Sequence, residues 1–380
     1  MNHLNLFPDL ILLLTSFSLQ ILVTRLIWKS SSFRTRPRTI ALIAANLLAA
    51  IASGIGYLLS FHRTWRYLPS VAATWLQASG MTLTVILGGF AMGLMVWRRL
   101  PVYRSNRRKF LQAAGATLAV APLAATTFGI IVRNQFQVNE VNIRVPNLPK
   151  DLEGLRLVQI TDIHLSPFLT AAQFARAIDM ANETNAHIVL VTGDLITRLG
   201  DPLDACLGQL ARLRSQAGAF GCLGNHEVYT QTEGYVTVQG KRIGIDFLRH
   251  EARSLRFGTA QINLVGVDYQ QFHRPYLVGA ESLIAPGQLN VLLSHNPDVF
   301  DTAVRMGYDI TISGHTHGGQ VNVEILHHNW NVAQTFTPYV RGLYEQKNRS
   351  IFVSSGLGTI GVPVRIGAPP EVSLIKLCAS

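Results

Sequence analysis

The rhythm of apolar and polar positions changes once along this chain. Up to about residue 135 the apolar residues form long unbroken runs. From about Val138 they form short runs, each stopped by a polar residue or a glycine. In the first regime Thr39 to Phe61, Leu68 to Trp97 and Leu111 to Val132 contain no charged residue. Each reaches the roughly 20 apolar residues that a membrane-crossing helix needs. A weaker run, about Leu6 to Trp28, has Asp9 near one end and Arg25 near the other. The pattern predicts an all-α transmembrane domain of about four helices over residues 1–135, with three as the smaller reading. Pro122 is tolerable there, because neighbouring helices or water can satisfy the carbonyl it frees.

The second regime predicts a folded α/β domain over residues 136–380. Val141 to Val145 alternates like a strand with one wet face. Leu155 to Ile160, Ile188 to Val191, Ala219 to Leu223, Thr259 to Val267 and Leu289 to Leu293 read as strands. So do Ile310 to Ile312, Ile351 to Val353 and Val372 to Ile375. Ala171 to Asn182 has helical periodicity, and Pro202 to Arg214 reads as a helix with Asp201 as its N-cap. Strands mixed with helices, including adjacent strand pairs, predict a layered α/β sandwich, not a strictly alternating fold.

Composition sharpens the division. Hydrophobic residues make up 48% of the 380 and charged residues 14%, against a usual charged share of about 25%, which points to lipid. The net charge of +11 suggests nucleic acid until it is divided along the chain. Residues 1–135 hold 14 of the 33 Lys and Arg and one of the 22 acids, and the rest of the chain nearly cancels. A nucleic-acid binder carries its basic surface on the folded domain, so no nucleic-acid partner is expected. Three widely spaced cysteines, Cys206, Cys222 and Cys378, make neither a disulfide framework nor a thiolate metal site.

The short loops orient the anchor. Arg25 to Arg38 holds five Lys and Arg, His62 to Tyr67 two, and Arg98 to Lys109 six. The positive-inside rule puts the first and third loops in the cytoplasm, and everything after Arg133 on the non-cytoplasmic, periplasmic side of a plasma or inner membrane. Residues 105–111, Ser-Asn-Arg-Arg-Lys-Phe-Leu, are similar to a twin-arginine export signal, although Asn106 separates the serine from the arginine pair. The alternative is that Arg107 and Arg108 are ordinary inside anchors; both readings put the following domain outside.

The chemistry sits where the predicted strands stop. Leu155 to Ile160 ends in Thr-Asp162-Ile-His164, Ile188 to Val191 in Thr-Gly193-Asp194, and Ala219 to Leu223 in Gly224-Asn225-His226-Glu227. Leu289 to Leu293 ends in Ser-His295-Asn, and Ile310 to Ile312 in Ser-Gly314-His315-Thr-His317-Gly-Gly. If still extended, Asp162 and His164, or His315 and His317, would face the same way. In α/β sheets ligands gather at the carboxyl ends of strands. Carboxylate, amide and imidazole without thiolate suit Mn, Fe or Zn in sites of five or six ligands. His187, His250, His273, His327 and His328 lie outside this pattern and read as structural or exposed.

Taken in order, D-x-H, G-D, G-N-H-E, a single His and G-H-x-H resemble the calcineurin-like metallophosphoesterase superfamily, from about Leu155 to the C-terminus. The tail Arg365 to Glu371 is similar to a bacterial membrane-linked branch of it. The resemblance implies a four-layer α/β/β/α sandwich and two divalent metal ions. It implies that Asp162, His164 and His317 hold the first metal and that Asn225, His295 and His315 hold the second. Asp194 would bridge them, Glu227 would orient a neighbour from behind the ligands, and His226 would face the substrate as proton donor to the departing oxygen. The function so implied is a metal-dependent phosphoric ester hydrolase, more a phosphodiesterase than a monoesterase. Anchoring favours a lipid or other membrane-associated diester. Two alternatives remain: a pyrophosphohydrolase of the UDP-diacylglucosamine type, which belongs at the cytoplasmic face, and a non-catalytic membrane receptor or scaffold on the same fold. Gln231 to Gly240 reads either as a lid or membrane-facing edge or as an ordinary hairpin.

Overall fold

The computed structural model describes residues 127–271, 275–325 and 328–380, with isolated helical positions between residues 14 and 125. Most of each of the four apolar runs read as membrane helices, and all of residues 105–111, lie outside the described residues. Among the described residues no helix is long and apolar enough to cross a membrane. Contacts divide the chain into Met1–Ile131 with Gly361–Pro363, and Val132–Ile360 with Val364–Ser380; the second unit is described below.

Two six-stranded sheets form its centre. The first contains β1 (Gln137–Val145), β2 (Arg156–Ile160), β3 (Ile188–Thr192), β4 (Ala219–Cys222), β5 (Ile245–Phe247) and β14 (Glu371–Ala379), in the order β1-β14-β2-β3-β4-β5. The second contains β6 (Glu251–Phe257), β7 (Ala260–Gly266), β8 (Leu289–Leu293), β9 (Ile310–Ser313), β12 (Gly342–Gln346) and β13 (Arg349–Val353), in the order β12-β13-β9-β8-β7-β6. β10 (Asn322–Ile325) and β11 (His328–Asn331) form a separate antiparallel pair. Strands β2 to β5 run parallel, as do β7, β8, β9 and β13, while β14 is antiparallel to β2.

The short apolar runs form strands because both of their faces are covered. All five residues of β3 are buried, as expected for a parallel strand clothed on both sides. Leu157, Ile188, Leu190 and Phe220 of the first sheet pack against Ile262, Leu264, Val291, Leu293, Ile312 and Phe352 of the second. The alternate residues Val158, Ile160, Val189 and Val191 face outward onto Phe174, Ile178 and Ala181 of α1 (Ala171–Glu183), Leu207 of α2 (Leu203–Leu210) and Val236 of α4 (Glu233–Arg242). On the far side Val265 and Leu292 pack on Ala303, and Ile351 and Val353 pack on Phe300 and Val304, all on α5 (Phe300–Met306). The result is the layered α/β/β/α sandwich.

Local chemistry sets the ends. Thr170 and Gln173 close a reciprocal capping box at the start of α1. Helix α2 stops at Leu210 rather than Arg214, because Asn182 takes over the backbone of Arg212 and Arg214. Asp201 does not cap α2. Its carboxylate accepts from the backbone N–H groups of Thr197 and Arg198 and closes the turn after Asp194. Gln231 to Gly240 is no hairpin, since most of it is α4. Strand β6 is absent from the sequence reading: its exposed outer positions break the apolar pattern. Cys206 and Cys222 are buried free thiols and Cys378 is partly buried.

Candidate metal centre

The ends of β2, β3, β4, β8 and β9 converge at one edge of the sandwich, but the site residues are not extended. Asp162, His164, Asp194, His315 and His317 all adopt positive φ, from 46° to 76°. The expectation that Asp162/His164 and His315/His317 share a face as strand residues is therefore corrected: each pair lies beyond its strand, in tight turns. Non-glycine residues avoid this left-handed region, and such conformations persist only where the surroundings over-determine them. Here they do. Asp162 N–H donates to Gly193 O, His164 N–H to Asp194 O and Gly358 N–H to Asp162 O. Gly193 has φ of +90°, and a side chain there would run into the backbone of Gly224. The two loops touch backbone to backbone, so that position admits only glycine.

The turns bring side chains, all buried except the half-buried His315, into two groups that share one residue. Asp162, His164, Asp194 and His317 form the first, and Asp194, His295 and His315 the second; within each group the candidate ligand atoms lie within 4.8 Å of one another. His164 Nε2 is 3.4 Å and His295 Nε2 is 3.1 Å from Asp194 Oδ2. His317 Nε2 is 3.4 Å from Asp162 Oδ1 and 3.1 Å from His164 Nε2. Asn225 opens the six-residue helix α3 (Asn225–Thr230), and its side-chain oxygen is buried with no hydrogen-bond partner.

This donor set suits divalent cations. Nitrogens and oxygens point at one another at close range, and Asn225 Oδ1 and His295 Nε2 lack a well-formed hydrogen bond. The opposite nitrogens of two rings are engaged from behind: His295 Nδ1 meets Thr192 O at 2.6 Å and His164 Nδ1 meets Thr197 Oγ1 at 3.2 Å. Such bonds fix ring orientation and leave Nε2 free as a ligand. The charge balance agrees. Burial pushes the Asp162 carboxyl up, and the Asp194 charge adds to it. Burial also acts to raise Asp194, but His295 and His226 outweigh it and hold that carboxyl well below its usual range. His295, although buried, is pushed up to about 10 by Asp194 and Asp162. Burial lowers His315 to about 3 and takes His317 well below the usual imidazole value, leaving both in the neutral form that binds metals.

His226 and Glu227 occupy different places. The His226 ring lies edge-on to His164 with centroids 4.6 Å apart. Its Nδ1 meets Thr197 O at 2.6 Å, so Nε2 is the nitrogen left for other partners. Burial lowers its pKa to about 4. Glu227 accepts from the N–H groups of Asp194, Leu195 and Gly224, fastening the turn after β3 to the turn after β4.

The tail supplies a brace. Arg365 is fully buried and donates to the carbonyls of Ser355, Gly358 and Ala368. Burial is the main reason its pKa falls to about 10. Glu371 Oε1 accepts from Ser355 N–H and Ser354 Oγ. Together they hold residues 354–358, whose Leu357 and Gly358 N–H groups bind the carbonyls of Thr161 and Asp162. Thr197, Tyr229 and Tyr269 are absent from the sequence reading. Tyr229 lies against His226 and Tyr269 against His295 and His315. Single hydroxyl residues outside the strand-end motifs carry no spacing that marks them in the sequence.

Residues 155–319 match the family model described as calcineurin-like phosphoesterase, which places that segment of the chain in the calcineurin-like metallophosphoesterase superfamily. Among its relatives, a "Transmembrane protein with metallophosphoesterase domain" of Danio rerio is 30% identical over 70% of this chain and 63% of its own length. The "Phosphodiesterase YaeI" of Escherichia coli is 26% identical over 72% of this chain and 99% of its own. The metallophosphoesterase YkuE of Bacillus subtilis is 26% identical over 72% and 98%. The chain thus spans less than two thirds of the length of the Danio rerio relative.

Proposed function

We propose that this protein is a membrane-anchored, dinuclear-metal phosphodiesterase. Residues 1–135 would be the anchor and residues 136–380 the catalytic domain, on the periplasmic side. The observation that carries the reading is the pair of carboxylate–imidazole groups joined through Asp194. Asp162, His164 and His317 would hold one divalent ion; Asn225, His295 and His315 would hold the other; Asp194 would serve both. Mn, Fe and Zn all suit these ligands. Bound divalent cations supply Lewis acidity, which activates water near neutral pH and offsets charge on the phosphoryl group.

The chain's own residues do the rest. Glu227, Thr192 and Thr197 set the ligands in place from behind. His226 presents Nε2 to the substrate while Thr197 O holds Nδ1. In the free protein the ring is neutral. An anionic phosphoryl group against it favours the protonated form, so the proton donor for the departing oxygen belongs to the substrate complex. The YaeI relative's name supports a diester, and the Danio rerio relative's name supports a membrane.

The test is hydrolysis by the full chain in detergent with Mn²⁺, comparing bis-p-nitrophenyl phosphate with p-nitrophenyl phosphate. Preference for the diester, with His226→Ala losing more rate on a poor leaving group than on nitrophenolate, is the expected result. Equal loss on both leaving groups removes the donor role, and no turnover with both metals bound moves the reading to a receptor or scaffold. A reporter fused after residue 380 that scores cytoplasmic favours the pyrophosphohydrolase reading.

A further inference from the structure

A cavity of about 320 Å³ opens directly beside the candidate metal centre, and His315 and His317 belong to its wall. Ala333, Phe336 and Ile360 also line it. Phe336 is 74% exposed and Ile360 38% exposed, which is costly for large apolar side chains that line a recess unless something covers them. The walls are fixed, not loose. The Gln320 side chain both donates to Ile360 O and accepts from Ile360 N–H. Asn331 donates to Gly318 O and accepts from Ala333 N–H, tying the segment before Phe336 to the loop that carries His317. Thr316, another lining residue, donates from Oγ1 to Val340 O.

The charge of the lining selects the occupant. Among the described residues no Lys or Arg contributes to the cavity, and Asp298 does. A second phosphate, as in a nucleotide-linked pyrophosphate, would meet a carboxylate and no cation. An apolar group meets aliphatic and aromatic carbon. We propose that this cavity is a subsite for an apolar substituent of the substrate, an aryl ring or the first methylenes of an alkyl or acyl chain, carried within a few bonds of the phosphorus. It deepens the phosphodiesterase reading above and rests on it. The size suits the purpose: ligand recesses start near about 300 Å³ and are mostly apolar with a few placed polar groups.

The experiment uses the full chain with Mn²⁺ and a series of alkyl p-nitrophenyl phosphates, from methyl to octyl, below their aggregation limits. The expected result is a kcat/KM that rises by roughly threefold to fourfold per methylene and levels off once the recess is full. Phe336→Ser and Ile360→Asn should each flatten the slope. Each slope is a ratio within one protein, so partial loss of folded or metal-loaded enzyme cancels. A slope near zero in the unsubstituted chain, or a slope that neither substitution changes, overturns the subsite while leaving the phosphodiesterase reading intact. No turnover of any ester overturns both. Steeper cleavage of nucleotide pyrophosphates than of any alkyl ester also overturns the subsite. A final arm compares a soluble dihexanoyl phospholipid with long-chain vesicles of the same headgroup. Turnover of both supports a membrane lipid as the source of the apolar group, and turnover of the soluble form alone supports a free amphiphile.

Discussion

At the scale of residues, the strand-end pattern was readable because each ligand-type residue follows an apolar run that has no other reason to stop. Asp162, His164, Asp194, His295, His315 and His317 come together as that pattern implies. The backbone that brings them there was not readable. Five of these residues take a conformation that glycine and asparagine prefer, and nothing in their side chains advertises it. The strain is held by neighbours far away in sequence, such as Gly193 and Gly358. Asp194 belongs to both groups, so on the proposed two-metal reading Asp194→Asn should lower metal affinity at each. The loss should exceed the roughly 10–100-fold that losing an outer hydrogen-bond partner costs. Metal content per folded protein, by elemental analysis after dialysis, checks this; two full equivalents in the variant would remove Asp194 from its shared place.

At the scale of elements, the buried strands were legible from β-branched runs, and α1 from its spacing and capping box. What was missed lay where solvent or side chains overrule periodicity. Strand β6 is wet on its outer positions, and α2 is cut short by the distant Asn182. The tail Arg365 to Glu371 showed a motif but not its work, which is to brace the turn after β2 through residues 354–358. Arg365→Gln leaves up to three buried carbonyls with poor partners, each costing about 1–3 kcal/mol. A lower melting temperature and weaker Mn²⁺ binding are expected together, with Arg365→Lys recovering only part of either, because an ammonium lacks the planar fork. Melting curves with and without Mn²⁺ decide it. Unchanged metal affinity in a folded Arg365→Gln variant would make the brace a matter of stability alone.

At the scale of the whole molecule, the centre joins two sheets: β2, β3 and β4 bring their residues from one, β8 and β9 from the other. Metal bound there clamps both layers, so its binding energy becomes folding energy. Each tenfold rise of free Mn²⁺ above the dissociation constant should add about 1.4 kcal/mol per site. The melting temperature should climb with added Mn²⁺ and fall with a chelator; a flat response up to millimolar Mn²⁺ would contradict metal binding in this cluster. The strand order has one more consequence, in time rather than space. Strand β14, the last of the described strands, sits between β1 and β2 and, among the described residues, is the only strand paired with β1. Chains emerge from the ribosome at about 5–20 residues per second, amino end first, so β1 waits for nearly the entire domain before it finds its neighbour. Glu371, at the start of that last strand, also closes the brace behind Asp162. The candidate metal centre is therefore completed only once β14 has been made, after every strand that carries its ligand-type residues.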